Sequence, residues 1–214
     1  MLKTLKCSII AFILTIAALP VQAHPHSWID LETALIFDGD GKIEGLWVGW
    51  LFDDYYSAFT LEETQPDKFG EYPQEKLNEL AETNLKNLAE YNYFSFLRAD
   101  GKQLAIKPVT KYKTSVKRRL WMEFTIELET PIDPRSHKID YAVYDPTFYI
   151  EILHAENGDP IRMIGDKALG CNYKLVKPEP PKELSFMAAA LNKDETPSES
   201  IGASFAEQID ILCD

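Results

Sequence analysis

SWIDLETALIF-DGDGK-IEGLWVGWLF, residues 27–52, is the stretch that decides the fold. Trp28, Leu31, Leu35 and Phe37 anchor an alternating run, and Asp38-Gly39-Asp40-Gly41 is a turn signal. Ile43–Phe52 resumes with Trp and Val, so the pair predicts a β-hairpin. Asp53 and Asp54 then stand where a helix would begin, ahead of Tyr55, Tyr56, Phe59 and Leu61. Aspartate suits that place because its carboxylate accepts an orphan N–H of the first turn.

Downstream, Leu77, Leu80, Leu85, Leu88 and Tyr91 recur at helical spacing, predicting a helix over Pro73–Tyr91. Pro73 fits its first turn, where a missing N–H costs nothing. Tyr93–Ala99 returns to strand, and Asp100-Gly101 is a second hairpin turn. Val109–Glu129 holds two further strand-like runs, the second over Leu120–Leu128. Ile139–Leu153 is aromatic and β-branched but broken by Asp145-Pro146, which implies an edge, a bulge or two separate strands. Cys171–Val176 and Ile209–Cys213 are expected as the last strands, with a stiff Pro-rich connector at 177–181, a short helix over Leu184–Leu191 and a mobile stretch over Lys193–Ser200. The sum is an α+β fold: mostly antiparallel, sandwich-like sheet with a helical layer from residues 54–91.

Upstream of the hairpin, Lys3 and Lys6 precede an uncharged apolar stretch from Ser8 to Leu19, then Pro20 and Val21-Gln22-Ala23. This is the form of a secretory signal peptide cleaved after Ala23. The apolar run is shorter than the ~20 residues that span a bilayer, and no later segment is longer. The expectation is one exported domain over residues 24–214 with no membrane span. The whole chain of 214 residues carries 22 Lys+Arg against 34 Asp+Glu, net −12. Loss of Lys3 and Lys6 leaves 20 basic against the same 34 acidic residues, net −14. Such a balance argues against nucleic acid, whose binders present a basic footprint. Two of the three cysteines, Cys171 and Cys213, lie in the exported part, and in an oxidising compartment two cysteines most simply form one disulfide.

The candidate chemistry gathers at the front of the exported chain, His24-Pro25-His26-Ser27-Trp28-Ile29-Asp30. Pro25 pushes His24 toward extended geometry, in which His24, His26 and Asp30 project to one side. Two imidazoles, a terminal amine and carboxylates suit Zn(II), Ni(II) or Cu(II). The metal set expected is His24 and His26 with Asp53 and Asp145, and Asp54, Glu151 and His154 stand in reserve. Each has a plainer reading: a frayed terminus, a helix cap at Asp53, a turn at Asp145-Pro146, a surface or packing role for His154. His137, after a polar turn, reads as a solvated loop residue. A calcium loop at Gln65–Lys76 fails, because aligning Gly70 on the loop's glycine puts Gln65, Asp67 and Phe69 at the first three ligand positions, where only Asp67 fits, and Lys76 where a bidentate Glu belongs. No Gly-x-Ser-x-Gly elbow or phosphate-cradling glycine loop occurs, so no enzyme is expected.

The Ala23-His24-Pro25-His26 start, Phe52-Asp53-Asp54-Tyr55-Tyr56-Ser57, Tyr144-Asp145-Pro146-Thr147-Phe148-Tyr149, Gly170-Cys171 and the Phe205-Ala206 to Cys213 ending together resemble the domain-of-unknown-function family 1007. The resemblance covers nearly all of the exported chain and maps onto His24, His26, Asp53, Asp145, Cys171 and Cys213. It implies a periplasmic component of a NicO-type or ZevA-like zinc or nickel transport system, partnered by a NicO-type inner-membrane permease. Relatives often carry an acidic calcium-type loop before the long helix, and here that loop is degenerate. The leading expectation is thus a metal-binding accessory protein of zinc (or nickel/cobalt) uptake. Two alternatives stand beside it: a copper enzyme with a histidine brace built on His24 with His26 or His154, and a metal-free, disulfide-bridged module that docks on a membrane partner.

Overall fold

The hairpin forms as its pattern requires. β1 (Ser27–Phe37) and β2 (Ile43–Phe52) pair antiparallel from Ile29 opposite Phe52 to Phe37 opposite Ile43. Asp38 closes the turn, its Oδ1 accepting the Asp40 and Lys42 N–H groups at 2.9 Å each. The computed structural model describes residues 25–62, 64–165, 168, 170–190 and 201–214. His24 and the stretch Lys193–Ser200 lie outside the described residues.

Two sheets stack. In the first the order is β5 (Lys111–Val116), β6 (Leu120–Ile132), β2, β1, β8 (Ile150–His154), and β9 (Ile161–Ile164) also pairs with β1. β8 runs parallel to residues 27–31 of β1 and β9 parallel to residues 33–36, so two short strands share one edge. The second sheet is antiparallel throughout, in the order β10 (Cys171–Val176), β11 (Gln208–Cys213), β7 (Ile139–Val143), β3 (Ser95–Ala99), β4 (Lys102–Gln103). Alternate residues of both sheets meet in one core, with Leu31, Leu46, Val48, Phe124 and Ile126 from the first and Leu97, Ile139, Tyr141 and Ile209 from the second. The break at Asp145-Pro146 makes two strands, β7 and β8, and they end in different sheets. That crossing is what carries polar residues between the layers.

α1 (Asp54–Leu61) and α2 (Gln74–Leu88) supply the helical layer, α2 burying Leu77, Ala81 and Leu85. Pro73 is the N-cap of α2, and its carbonyl accepts the Lys76 and Leu77 N–H groups at 3.1 and 3.2 Å. The predicted helix ends early: Ala89–Phe94 tightens to a 3-10 turn, with Asn92, Tyr93 and Phe94 at positive φ. Asparagine tolerates that region, whereas Tyr93 and Phe94 are held there by burial of their rings. α3 (Lys182–Ala190) forms a small second cluster, Ala188 meeting Phe148 and Ile201, with Leu184 and Phe205 at its rim. β4 and β9, at two and four residues, carry too little periodicity to be read in advance.

Cys171 and Cys213 face each other in the β10–β11 register and form the expected disulfide across 42 residues. Cross-linking a loop of that length stabilises by about 3–4 kcal/mol in the chain-entropy account. The Cys171→Ser/Cys213→Ser double variant should lose about that much in urea unfolding, and an unchanged midpoint would show that the β10–β11 pairing alone closes the loop.

Candidate functional site at the head of the first strand

The first residues of β1 are held from two sides. On one, Asp53 ends β2 and caps α1, its Oδ1 accepting the Tyr56 N–H at 2.8 Å. Its other oxygen reaches back to β1, accepting the Ser27 hydroxyl at 2.7 Å and the Trp28 N–H at 2.9 Å. The Asp53 N–H returns a bond to the Trp28 carbonyl at 3.0 Å. Burial pushes the Asp53 carboxyl up, but the bonds from Ser27, Trp28, Tyr56 and Tyr55 outweigh it and hold it below the ordinary carboxylate range. One aspartate therefore both caps the helix and clamps the strand. Asp54, the first residue of α1, is exposed, 3.5 Å from Arg118.

On the other side stands the loop between β7 and β8. The His26 N–H donates to the Tyr149 carbonyl at 2.9 Å, and the two rings lie 4.7 Å apart. The loop is organised by Asp145, which is buried. Its Oδ1 accepts the Thr147 N–H and hydroxyl at 2.8 Å each, and its Oδ2 accepts the Tyr149 and Ile150 N–H groups at 3.0 Å each. A carboxylate offers about four acceptor positions, and here all four are taken. Gly202 packs on the loop's backbone: a Cβ there would lie 1.9 Å from the Asp145 carbonyl oxygen. Glu151 pairs with Trp28 in the parallel register, and burial raises its pKa against a bond from the Trp28 side chain.

The structure thus brings His26, Asp53 and Asp145 to one end of the first sheet, with Glu151 beside them. Among the described residues, no three His, Cys, Asp or Glu side chains stand close enough together to hold a metal ion. An ion on Asp53 or Asp145 would have to displace N–H donors already in place.

His154 goes elsewhere. At the end of β8 its Nδ1 and its backbone N–H both meet Glu207 Oε2, at 2.9 and 2.8 Å. Its Nε2 lies 3.2 Å from Thr33 Oγ1, which lies 2.8 Å from the Tyr141 hydroxyl. Thr33 and His154 belong to the first sheet, Tyr141 to the second, and Glu207 immediately precedes β11, so the chain of bonds ties the layers together. Threonine, histidine and glutamate in this order also mimic a nucleophile, a base and its orienting acid. Thr33, however, is 0% exposed, so its hydroxyl meets no substrate. Glu207, Thr33 and Tyr141 were not among the residues singled out by sequence. Their separations from His154 in the chain leave no local signal. His137 pairs with Asp100 at the surface, Nδ1 to Oδ2 2.7 Å.

Residues 9–213 match a family whose description is "Protein of unknown function (DUF1007)". The chain belongs to that family. A Haemophilus influenzae (strain ATCC 51907 / DSM 11121 / KW20 / Rd) protein described as "Uncharacterized protein" is 26% identical over 200 residues, covering 91% of this chain and 93% of that protein. In this DUF1007 chain the degenerate loop before α2 is a hydrogen-bonded turn: Asp67 Oδ1 accepts the Phe69 and Glu71 N–H groups at 2.8 and 3.0 Å, with Gly70 at φ 83°.

Proposed function

We propose that this protein is a periplasmic metal-binding accessory protein of a zinc (or nickel/cobalt) uptake system, and that it delivers the ion to a NicO-type inner-membrane permease. Zinc is cargo here, with Ni(II) or Cu(II) as competing occupants. The observation that carries the reading is the clamping of the head of β1 by Asp53 and by the Tyr149 carbonyl. A frayed terminus cannot hold an ion, whereas a strand fixed on both flanks holds His26 in place. Imidazoles and the amine of a processed His24 would ligate, while Asp53 and Asp145 position the strand and contribute negative charge. Export is supported by the Lys3, Lys6 and Ser8–Leu19 pattern, and the Cys171–Cys213 disulfide is compatible with an oxidising compartment. A binding role is favoured over catalysis because the Thr33–His154–Glu207 relay is sealed. Exposed Trp28 and Tyr149 at the same end suit contact with a membrane partner.

Isothermal titration of the protein purified after export should give one zinc per chain. His26→Ala should weaken binding at least about 100-fold, the scale set by loss of one ligand among three or four. Only neutral imidazole ligates, so binding should weaken as pH falls through the ordinary imidazole range near ~6.5. Stoichiometric binding that survives His24→Ala/His26→Ala would move the site elsewhere, and no zinc binding at all would end the proposal.

A further inference from the structure

The outer face of the first sheet, turned away from the core, carries a second site. Across the register Trp121 of β6 stands opposite Leu51 of β2, and Leu51 opposite Asp30 of β1. The neighbouring row has Gly49 at its centre, where a Cβ would lie 2.6 Å from the Trp121 ring and 2.7 Å from the Trp47 ring. Glycine there is what allows the two indoles to close over the sheet, their centroids 6.2 Å apart. Trp121 is fixed further by its indole N–H, which donates to Glu123 at 2.8 Å.

Beside this wall opens a cavity of about 440 Å³ lined by Leu51, Ser115, Trp121 and the tip of the β5–β6 hairpin, Lys117-Arg118-Arg119. In a chain with 34 acidic and 22 basic residues, no other two basic residues are adjacent. Edge strands often carry lysine to block pairing with another sheet, which accounts for Lys111 and Lys113 on β5. Lys117, Arg118 and Arg119 lie past the end of that strand, so edge protection does not explain them. Arg119 is committed, donating to Asp30 at 2.7 Å. Arg118 is 84% exposed and pairs with Asp54 at 3.5 Å, and Lys117 has no ion-pair partner among the described residues. Two exposed cations, Lys117 unpaired among the described residues and Arg118 held only by a solvent-screened pair with Asp54, therefore line a largely apolar cavity with an indole wall, the pattern of a site that fixes one charge and buries one flat body.

We infer that this cavity binds an organic anion: a phosphate, sulfonate or carboxylate group set against Lys117 and Arg118, carried on a flat apolar body that lies on Trp121 and Leu51. Both a soluble aryl anion and the headgroup of an anionic lipid have this chemistry. The inference does not rest on the metal-binding proposal and is tested on metal-free protein.

The probe is 1-naphthyl phosphate, titrated calorimetrically into exported protein stripped of metal. Inorganic phosphate is run beside it, as are phosphatidylcholine vesicles with and without half phosphatidylglycerol. Saturable one-to-one binding of the naphthyl ester is expected, at least about tenfold tighter than inorganic phosphate and weakened at least about tenfold in Lys117→Ala/Arg118→Ala, as loss of charge-assisted bonds implies. That variant keeps Arg119 and its bond to Asp30, so its thermal midpoint should not move. Trp121→Leu should weaken the ester but not inorganic phosphate. Cosedimentation with the anionic vesicles alone, abolished by the double variant, would assign the anion to a lipid headgroup. Binding that the double variant leaves intact, or no binding to ester and vesicles alike, overturns the inference.

Discussion

Glu207→Ala should cost about 3–5 kcal/mol in urea unfolding, because it removes the acceptor for two donors of a buried histidine and leaves its partner uncompensated. Both donors are on His154, the ring Nδ1 at 2.9 Å and the backbone N–H at 2.8 Å, and neither has another acceptor within the network. Glu207→Gln should cost less, since an amide oxygen still receives the backbone N–H. The pH dependence follows from the direction of the shift. Burial pushes Glu207 up, but the bonds from the His154 ring and backbone N–H, with the positive charge of neighbouring groups that include Lys177, outweigh it and leave the carboxyl below its ordinary range. A depressed acid stabilises fully above its unfolded value of about 4.3 and loses that contribution as pH falls through the folded value. The gap between wild type and Glu207→Gln should therefore be constant from pH 6 down to about 5 and close below that. An alanine variant as stable as the parent would mean that water replaces the carboxylate and the two sheets need no polar tie.

The framework of this fold was legible because its main elements carry their own periodicity. β1, β2 and β10 occupy the ranges read from alternation and turn residues, and the long helix differs only where it tightens at Ala89. What was hidden is what forms between distant segments. Nothing near Ile139–Leu153 says that the strands on either side of Asp145-Pro146 enter different sheets, and nothing near Glu207 points to His154. The head of β1 was half legible. The two aspartates were found by type and place, but whether a carboxylate faces solvent or a fan of N–H groups depends on loop conformation, which no spacing encodes. Lys117-Arg118-Arg119 drew no notice in the sequence and becomes a site only because the register sets Trp121 and Leu51 beside it.

Asp145→Ala should be the most damaging substitution in the β7–β8 loop, about 4–5 kcal/mol, since it takes the carboxylate acceptor from the half-buried Thr147, Tyr149 and Ile150 N–H groups, of which only Tyr149 keeps a long bond to the Thr147 hydroxyl. Asparagine separates the two tasks this residue has been given. An aspartate that serves a turn through one oxygen is replaced by asparagine at little cost. Asp145 uses both oxygens, and in Asp145→Asn the new amide would turn its own N–H groups toward two backbone donors. Asp145→Asn should therefore lower the thermal midpoint of the metal-free protein, costing about half the alanine value. Zinc binding should weaken in parallel, because the same loop supplies the Tyr149 carbonyl that holds His26. A ligand role would give the opposite pattern. A midpoint that is unchanged without metal, together with zinc binding lost in Asp145→Asn, would mean that the four donors yield to the ion and that the carboxylate coordinates it directly.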